Sequence, residues 1–211
     1  MASSILKEGA RILFQGDSIT DAGWDRGNPD SWGGGYVMMV ASHLSAALPE
    51  RDLTFRNRGI SGNRVYDMED RWTKDCVELR PTCVSFLIGI NDTWRRYDSN
   101  LVSPADDYEA SFHRILERTR QETGADIVIC EPFVLPVPPD RIAWREDLDP
   151  RIAACRRLAV EFNALYVPFD GIFAAAATRR PASFWLPDGV HPSLPGHALM
   201  AHAWIKAVRG H

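Results

Sequence analysis

Arg11-Ile12-Leu13-Phe14-Gln15-Gly16-Asp17-Ser18-Ile19-Thr20 decides the fold. Its first half is a short apolar run that reads as a β-strand. Its second half is small, polar and led by a glycine, which is turn chemistry at the strand's carboxyl end. Open α/β sheets present their ligands along that edge. A lone Gly-Asp-Ser is more often a plain turn than a site. Ser18 gains weight from three later stretches: Gly59-Ile60-Ser61-Gly62-Asn63, Gly89-Ile90-Asn91-Asp92 and Asp188-Gly189-Val190-His191-Pro192.

Outward from that stretch, strand and helix patterns alternate. Leu53 to Asn57, Cys83 to Ile88, Asp126 to Cys130 and Leu165 to Pro168 read as further strands. Cys83 to Ile88 is apolar without alternation, as expected for a central strand covered on both faces. Helical periods run from Tyr36 to a stop at Pro49, from Tyr66 to Leu79, from Pro104 to Thr123, from Pro150 to Phe162, from Gly171 to Thr178 and from Pro195 to Val208. Asp21 to Gly35, Phe133 to Asp149 and Trp185 to Pro192 read as loops. The first of these either shapes a site or is a flexible connection. Five βα alternations predict a three-layer α/β/α sandwich on a parallel sheet, and no linker or repeat divides residues 1–211 into more than one domain. Three of the four motif stretches follow the first three strands. Strands of a parallel sheet point the same way, so these stretches share one edge.

Composition narrows the function. The 211 residues are 45% apolar, enough for a sizeable core. A net charge of −4 argues against a nucleic-acid or anionic-membrane surface, which needs concentrated positive charge. The stretch from Met1 to Gly9 has no apolar run of signal-peptide length, and no window reaches membrane-spanning length, so the expected location is the cytoplasm. Cys76, Cys83, Cys130 and Cys155 are widely spaced and read as buried free thiols. His197 and His202 are five apart on a predicted helix and share no face well, so neither a metal nor another cofactor is expected.

The residue types suit acyl transfer. A serine hydroxyl needs a base, a histidine can serve near neutral pH, and a carboxylate can fix its tautomer. Asp188 and His191, three apart in one loop, can supply both to Ser18. The backbone N–H groups of Ser18 and Gly62, with the neutral carboxamide of Asn91, offer three donors for an oxyanion. Asp17 reads as a turn or supporting residue. Trp94, Arg95 and Tyr97 either pack the rim or touch substrate.

Together the four stretches resemble the SGNH hydrolase superfamily, the GDSL esterases, whose defining Ser, Gly, Asn and His would be Ser18, Gly62, Asn91 and His191, with Asp188 completing a triad. The resemblance covers nearly the whole chain, and Ile19 stands where the motif usually has leucine. Gly16 to Asp21, Gly59 to Asn63, Arg71-Trp72, Ile88 to Arg95 and Val190 to Ser193 are further similar to intracellular bacterial acetyl-xylooligosaccharide esterases. That resemblance implies a flavodoxin-like sheet of strand order 2-1-3-4-5 and a metal-free serine deacetylase of carbohydrate esters. It also implies a homo-oligomer acting on a small ester. Read from the residues themselves, Trp94, Arg95 and the loop aromatic Trp185 are the candidate substrate contacts, and Pro187 departs from the family by standing beside Asp188 where those esterases carry an aromatic. A lysophospholipase, thioesterase or general short-chain esterase is the alternative within the superfamily. A non-catalytic flavodoxin-like binding module is the alternative outside it. The α/β-hydrolase elbow Gly-x-Ser-x-Gly is not met, because Thr20 occupies its second glycine.

Overall fold

The strands β1 (Arg11–Gly16), β2 (Thr54–Gly59), β3 (Cys83–Leu87), β4 (Asp126–Cys130) and β5 (Leu165–Val167) form one parallel sheet of order β2-β1-β3-β4-β5. This computed structural model describes residues 4–210; residues 1–3 of the amino-terminal stretch read above, and residue 211, lie outside it. The register aligns the strand ends: Gly16 sits opposite Gly59 and Leu87, and Leu87 opposite Cys130. The chain therefore leaves all three of the first strands at the same level of one edge.

Helices cover both faces. They are α1 (Ser18–Asp21), α2 (Tyr36–Ala47), α3 (Val65–Asp70), α4 (Trp72–Asp75), α5 (Ile90–Asp98), α6 (Ala105–Thr123), α7 (Arg145–Glu161), α8 (Phe169–Ala177), α9 (Ala182–Trp185) and α10 (Leu194–Arg209). The period-2 geometry of the strands sorts the core into two layers. Ile12, Phe14, Cys83, Leu87, Val128 and Cys130 meet α2, α8 and α10 on one face. Leu13, Val84, Phe86, Ile127 and Ile129 meet α3, α4, α6 and α7 on the other. In the second layer Phe86 is stacked on Trp72 at 5.5 Å and meets the edge of Phe112 at 5.6 Å. Each such buried aromatic contributes about 1.5–3 kcal/mol by removal from water. The four cysteines are buried and unpaired.

Two sequence expectations change. The helix expected over 66–79 is broken into α3, α4 and the short turn Val77–Leu79. The breaks fall at Arg71 (φ −99°, ψ 7°) and Cys76 (φ −136°, ψ −64°). The helix expected to open at Pro150 opens at Arg145, directly after a 3-10 turn, Pro139–Trp144, inside the expected loop. Pro150 then lies inside α7 and removes one helical hydrogen bond, a loss eased where helix and proline face water. Asn91 and Trp94 lie in α5, a helix the sequence reading did not assign. The Asp21 to Gly35 segment is laced along β2. The Trp24 indole N–H donates to the Gly59 carbonyl at 2.8 Å and that of Trp32 to Phe55 at 3.2 Å, while Asn57 Nδ2 reaches the carbonyls of Thr20 and Trp32. It thereby covers the sheet's open edge at β2. Among the described residues no helix is long and apolar enough to cross a membrane.

Candidate active site

β1 ends in Gly16, and the chain turns at once into α1. Asp17 caps that turn: its Oδ1 accepts the Ile19 N–H at 2.9 Å. Ser18 is therefore the first residue of α1, where backbone N–H groups have no intrahelical acceptor. α1 presses onto the end of β2 so closely that a Cβ on Gly59 would fall 2.3 Å from the Asp21 nitrogen. Only glycine admits that approach. The stretch that follows, Ile60 to Asn63, places Gly62 at φ +84°, a region that disfavours any other residue.

From the far end of the chain, the loop before α10 returns to Ser18. Ser18 Oγ lies 2.9 Å from His191 Nε2, and His191 Nδ1 lies 2.7 Å from Asp188 Oδ2. Asp188 Oδ1 also accepts the backbone N–H groups of His191 at 2.7 Å and Val190 at 3.0 Å. This nest explains the three-residue spacing: one carboxylate folds the loop with one oxygen and holds the imidazole with the other. With Nδ1–H pointing at Asp188, Nε2 is left to accept the Ser18 proton.

The electrostatics follow. Burial works against charge on Asp188, but the His191 ring and the two backbone donors outweigh it and hold its carboxyl well below the ordinary range. His191 is shifted up, first by its hydrogen bond to Asp188, with partial burial opposing and the charges of Asp188 and Asp17 adding. Asp17 is pushed up to about 7 by burial, against its Ile19 hydrogen bond and the His191 charge, and its Oδ2 is buried without a partner. His197, six residues after His191, behaves in the opposite way. It is buried, its Nδ1 accepts the Tyr36 N–H at 3.1 Å, and burial pushes it down to about 4. Among the described residues no three His, Cys, Asp or Glu side chains gather as metal ligands.

Asn91, in the first turn of α5, is buried, and its Nδ2 donates to the Asn63 carbonyl at 3.1 Å. A carboxamide carries two N–H donors, so one remains for a ligand. Asp92, beside it, caps α3 by accepting the Val65 N–H at 3.2 Å. Ser18, Gly62, Asn91, Asp188 and His191 all lie in the segments that close over this one edge.

The three expected substrate contacts separate. Trp94 is half-buried with its ring centroid 5.8 Å from that of His191. The Arg95 guanidinium is paired with Asp98 along the same helix. The Trp185 indole donates to the Ala176 carbonyl at 3.0 Å and meets the edge of Phe184. Neither Arg95 nor Trp185 makes a hydrogen bond or ring contact with Ser18, Asp188 or His191. The sequence reading missed Arg141, whose guanidinium lies over both the Trp94 ring, at 4.4 Å, and the Trp144 ring, at 4.3 Å. Tyr97 extends this wall by stacking on Trp144 at 5.4 Å. The only signal was a Trp and an Arg three apart in a proline-rich stretch, which periodicity does not resolve.

The sheet edge thus carries a Ser–His–Asp chain of contacts on a doubly wound α/β scaffold. The GDSL-like lipase/acylhydrolase family matches residues 14–199, and the chain belongs to that family, making it a carboxylester hydrolase. It is 35% identical over 210 residues to an acetylxylan esterase of Geobacillus stearothermophilus, covering 95% of this chain and 94% of the relative. A crystal structure of a GDSL-like lipase from Parabacteroides merdae superposes with a TM-score of 0.93 at 39% identity, over 96% of this chain and 97% of that one. The crystal structure of an acetylxylan esterase from Geobacillus stearothermophilus superposes with a TM-score of 0.90 at 32% identity, over 98% and 97%. Solved forms of that esterase include catalytic mutants in which a serine or a histidine is replaced by alanine.

Proposed function

We propose that Ser18, His191 and Asp188 form a catalytic triad that removes acetyl groups from carbohydrates of the xylo-oligosaccharide class. One observation carries the triad: the unbroken chain of contacts from Ser18 Oγ through His191 to Asp188, at 2.9 and 2.7 Å. The relatives named as acetylxylan esterases support the sugar, as does the aromatic ring of Trp94 beside His191.

In the first step Ser18 Oγ attacks the acetyl carbonyl carbon while its proton passes to His191 Nε2. The carbonyl electrons move onto oxygen, where the N–H groups of Ser18 and Gly62 and the free N–H of Asn91 receive the negative charge. Collapse breaks the bond to the sugar oxygen, which takes the proton from His191. In the second step His191 removes a proton from water, the hydroxide attacks the acetyl-Ser18 carbonyl, and acetate leaves as Ser18 regains its proton. Asp188 stays ionised throughout and stabilises the imidazolium. The chemistry calls on no metal or cofactor. We extend the reading to a cytoplasmic homo-oligomer acting on a small ester, with no nucleic acid or membrane as partner. The acidic net charge and the resemblance to intracellular esterases support it.

Acetate release from acetylated xylo-oligosaccharides, set beside 4-nitrophenyl acetate and octanoate, tests the assignment. We expect the sugars to be cleaved at least as fast as the aryl acetate and the Ser18→Ala variant to be inert on both. Rates that rise with acyl length would leave the triad standing and replace the sugar by a lipid or thioester.

A further inference from the structure

Gly62 has no side chain, a positive φ and open space where a Cβ would lie, with no atom within 4 Å. Nothing grips it directly. Its N–H direction is therefore set by its two neighbours, and each neighbour is held by a charged residue from a different element.

On one flank, Asp21 Oδ2 accepts both the backbone N–H of Ser61 at 3.0 Å and its hydroxyl at 2.9 Å. Asp21 is the last residue of α1, the turn that begins with Ser18, and it is only 4% exposed. Its carboxylate is held in turn by Arg26 at 2.7 Å and by the Gly23 N–H at 3.1 Å. Burial opposes its charge, but the Arg26 and Ser61 hydrogen bonds outweigh it and hold its carboxyl below the ordinary range. On the other flank, Arg71 Nε donates to Asn63 Oδ1 at 2.8 Å. The same guanidinium reaches Gln15 Oε1 at 3.0 Å and Asp75 Oδ2 at 3.1 Å. Gln15 is the penultimate residue of β1 and Gly16, its last, leads into Ser18. Both ties thus run from the Gly62 loop to the segment that carries Ser18. Charge-assisted hydrogen bonds are shorter and stronger than neutral ones, which suits a fixed geometry.

We propose that Asp21 and Arg71 are positioning residues that clamp Ser61 and Asn63 from opposite sides and so aim the Gly62 N–H at the oxygen where charge develops. The inference rests on the triad and oxyanion roles proposed above.

The test uses Asp21→Asn, which keeps the side chain's size and removes its charge, and Arg71→Lys, which keeps charge and removes the fork. For each, kcat and KM on 4-nitrophenyl acetate are measured beside the inhibition constant of a small alkyl boronic acid, whose tetrahedral adduct on Ser18 mimics the oxyanion. Removing one oxyanion donor outright costs about 10²–10³-fold in kcat, so misaiming one should cost about 10-fold. We expect that loss in kcat, KM within about twofold, and a boronate constant raised by the same factor, since analogue affinity follows transition-state stabilisation. Should Asp21→Asn not fold, Ser61→Ala removes only the hydroxyl tie and should show the same pattern at about threefold. A folded variant whose kcat is unchanged, or whose kcat falls while boronate affinity does not, overturns the clamp. Labelling of wild-type Ser18 by a fluorophosphonate separates the two failures: a labelled Ser18 with unaffected boronate binding sinks only the clamp, and an unlabelled Ser18 sinks the triad beneath it.

Discussion

On one side of the Ser18–His191 pair, Asp21, Ser61, Asn63, Arg71, Gln15 and Asn91 are joined by hydrogen bonds of 2.8–3.1 Å. Beside His191, Trp94, Arg141, Trp144 and Tyr97 form an aromatic and cationic cluster with ring and guanidinium centres 4.3–5.4 Å apart, Tyr97 stacked on Trp144 and Trp94 tilted against it. Hydrogen bonds are directional and lose strength steeply when bent, whereas stacked surfaces tolerate sliding. The first construction fixes donors to within a fraction of an ångström, which stabilising an oxyanion demands. The second offers a broad face, which suits leaving groups of varied shape. On the proposed function, the first group sets rate and the second sets affinity.

The largest effect belongs to the triad. Asp188→Asn leaves the imidazole in the wrong tautomer, and kcat should fall about 10⁴-fold with little change in KM, as steady-state kinetics on 4-nitrophenyl acetate will show. A fall below about tenfold would mean that another group orients His191. Next comes the polar side itself. Asn91→Ala removes one donor and should cost about 10²–10³-fold in kcat. If KM rises instead, Asn91 binds substrate and its place among the rate-setting residues is lost.

The stacked side should respond in the other parameter. Trp94→Leu is expected to raise KM for acetylated xylo-oligosaccharides about three- to tenfold and to leave 4-nitrophenyl acetate within about twofold, because only the larger alcohol reaches the wall. An equal loss of kcat on both substrates would place Trp94 with the rate-setting group and erase the contrast.

The smallest effect concerns pH. His191 must be neutral to accept the Ser18 proton, so kcat/KM falls as pH drops through its pKa, which Asp188 and Asp17 hold above the ordinary histidine value. Asp17→Asn keeps an oxygen to cap α1 but removes a negative charge. The acid limb should therefore move to lower pH. A move to higher pH would contradict the charge relation between Asp17 and His191.

How much of this was legible in the sequence follows from range. The unbroken apolar run at Cys83 to Ile88 and the βα alternation specify a parallel sheet and its shared edge, because local periodicity carries them; the strand order came from the family resemblance. Gly62 and the Asp188–His191 spacing were legible because a post-strand turn and a three-residue loop are local too. The start of α5 was not, since Gly89-Ile90-Asn91-Asp92 has turn residues that also open helices. Nor was the opening of α7: Pro150 reads as a helix start, whereas it lies exposed inside a helix that opens five residues earlier, at Arg145. Arg71 was marked only by the resemblance of Arg71-Trp72, with no reading of its partners, and Arg141 looks like an ordinary surface arginine until the fold brings the two indoles to it. Trp185, chosen for its aromatic ring beside the closing loop, spends its indole N–H on α8.

The central claim is that Ser18 is the nucleophile activated by His191. The measurement that tests it most directly is peptide mass spectrometry of the folded protein after brief exposure to a fluorophosphonate. The account predicts one adduct per chain, on Ser18, formed at a rate that rises with pH through the His191 titration and absent in Ser18→Ala. An adduct on another serine, or none on protein shown to be folded and hydrolysing ester, would contradict it.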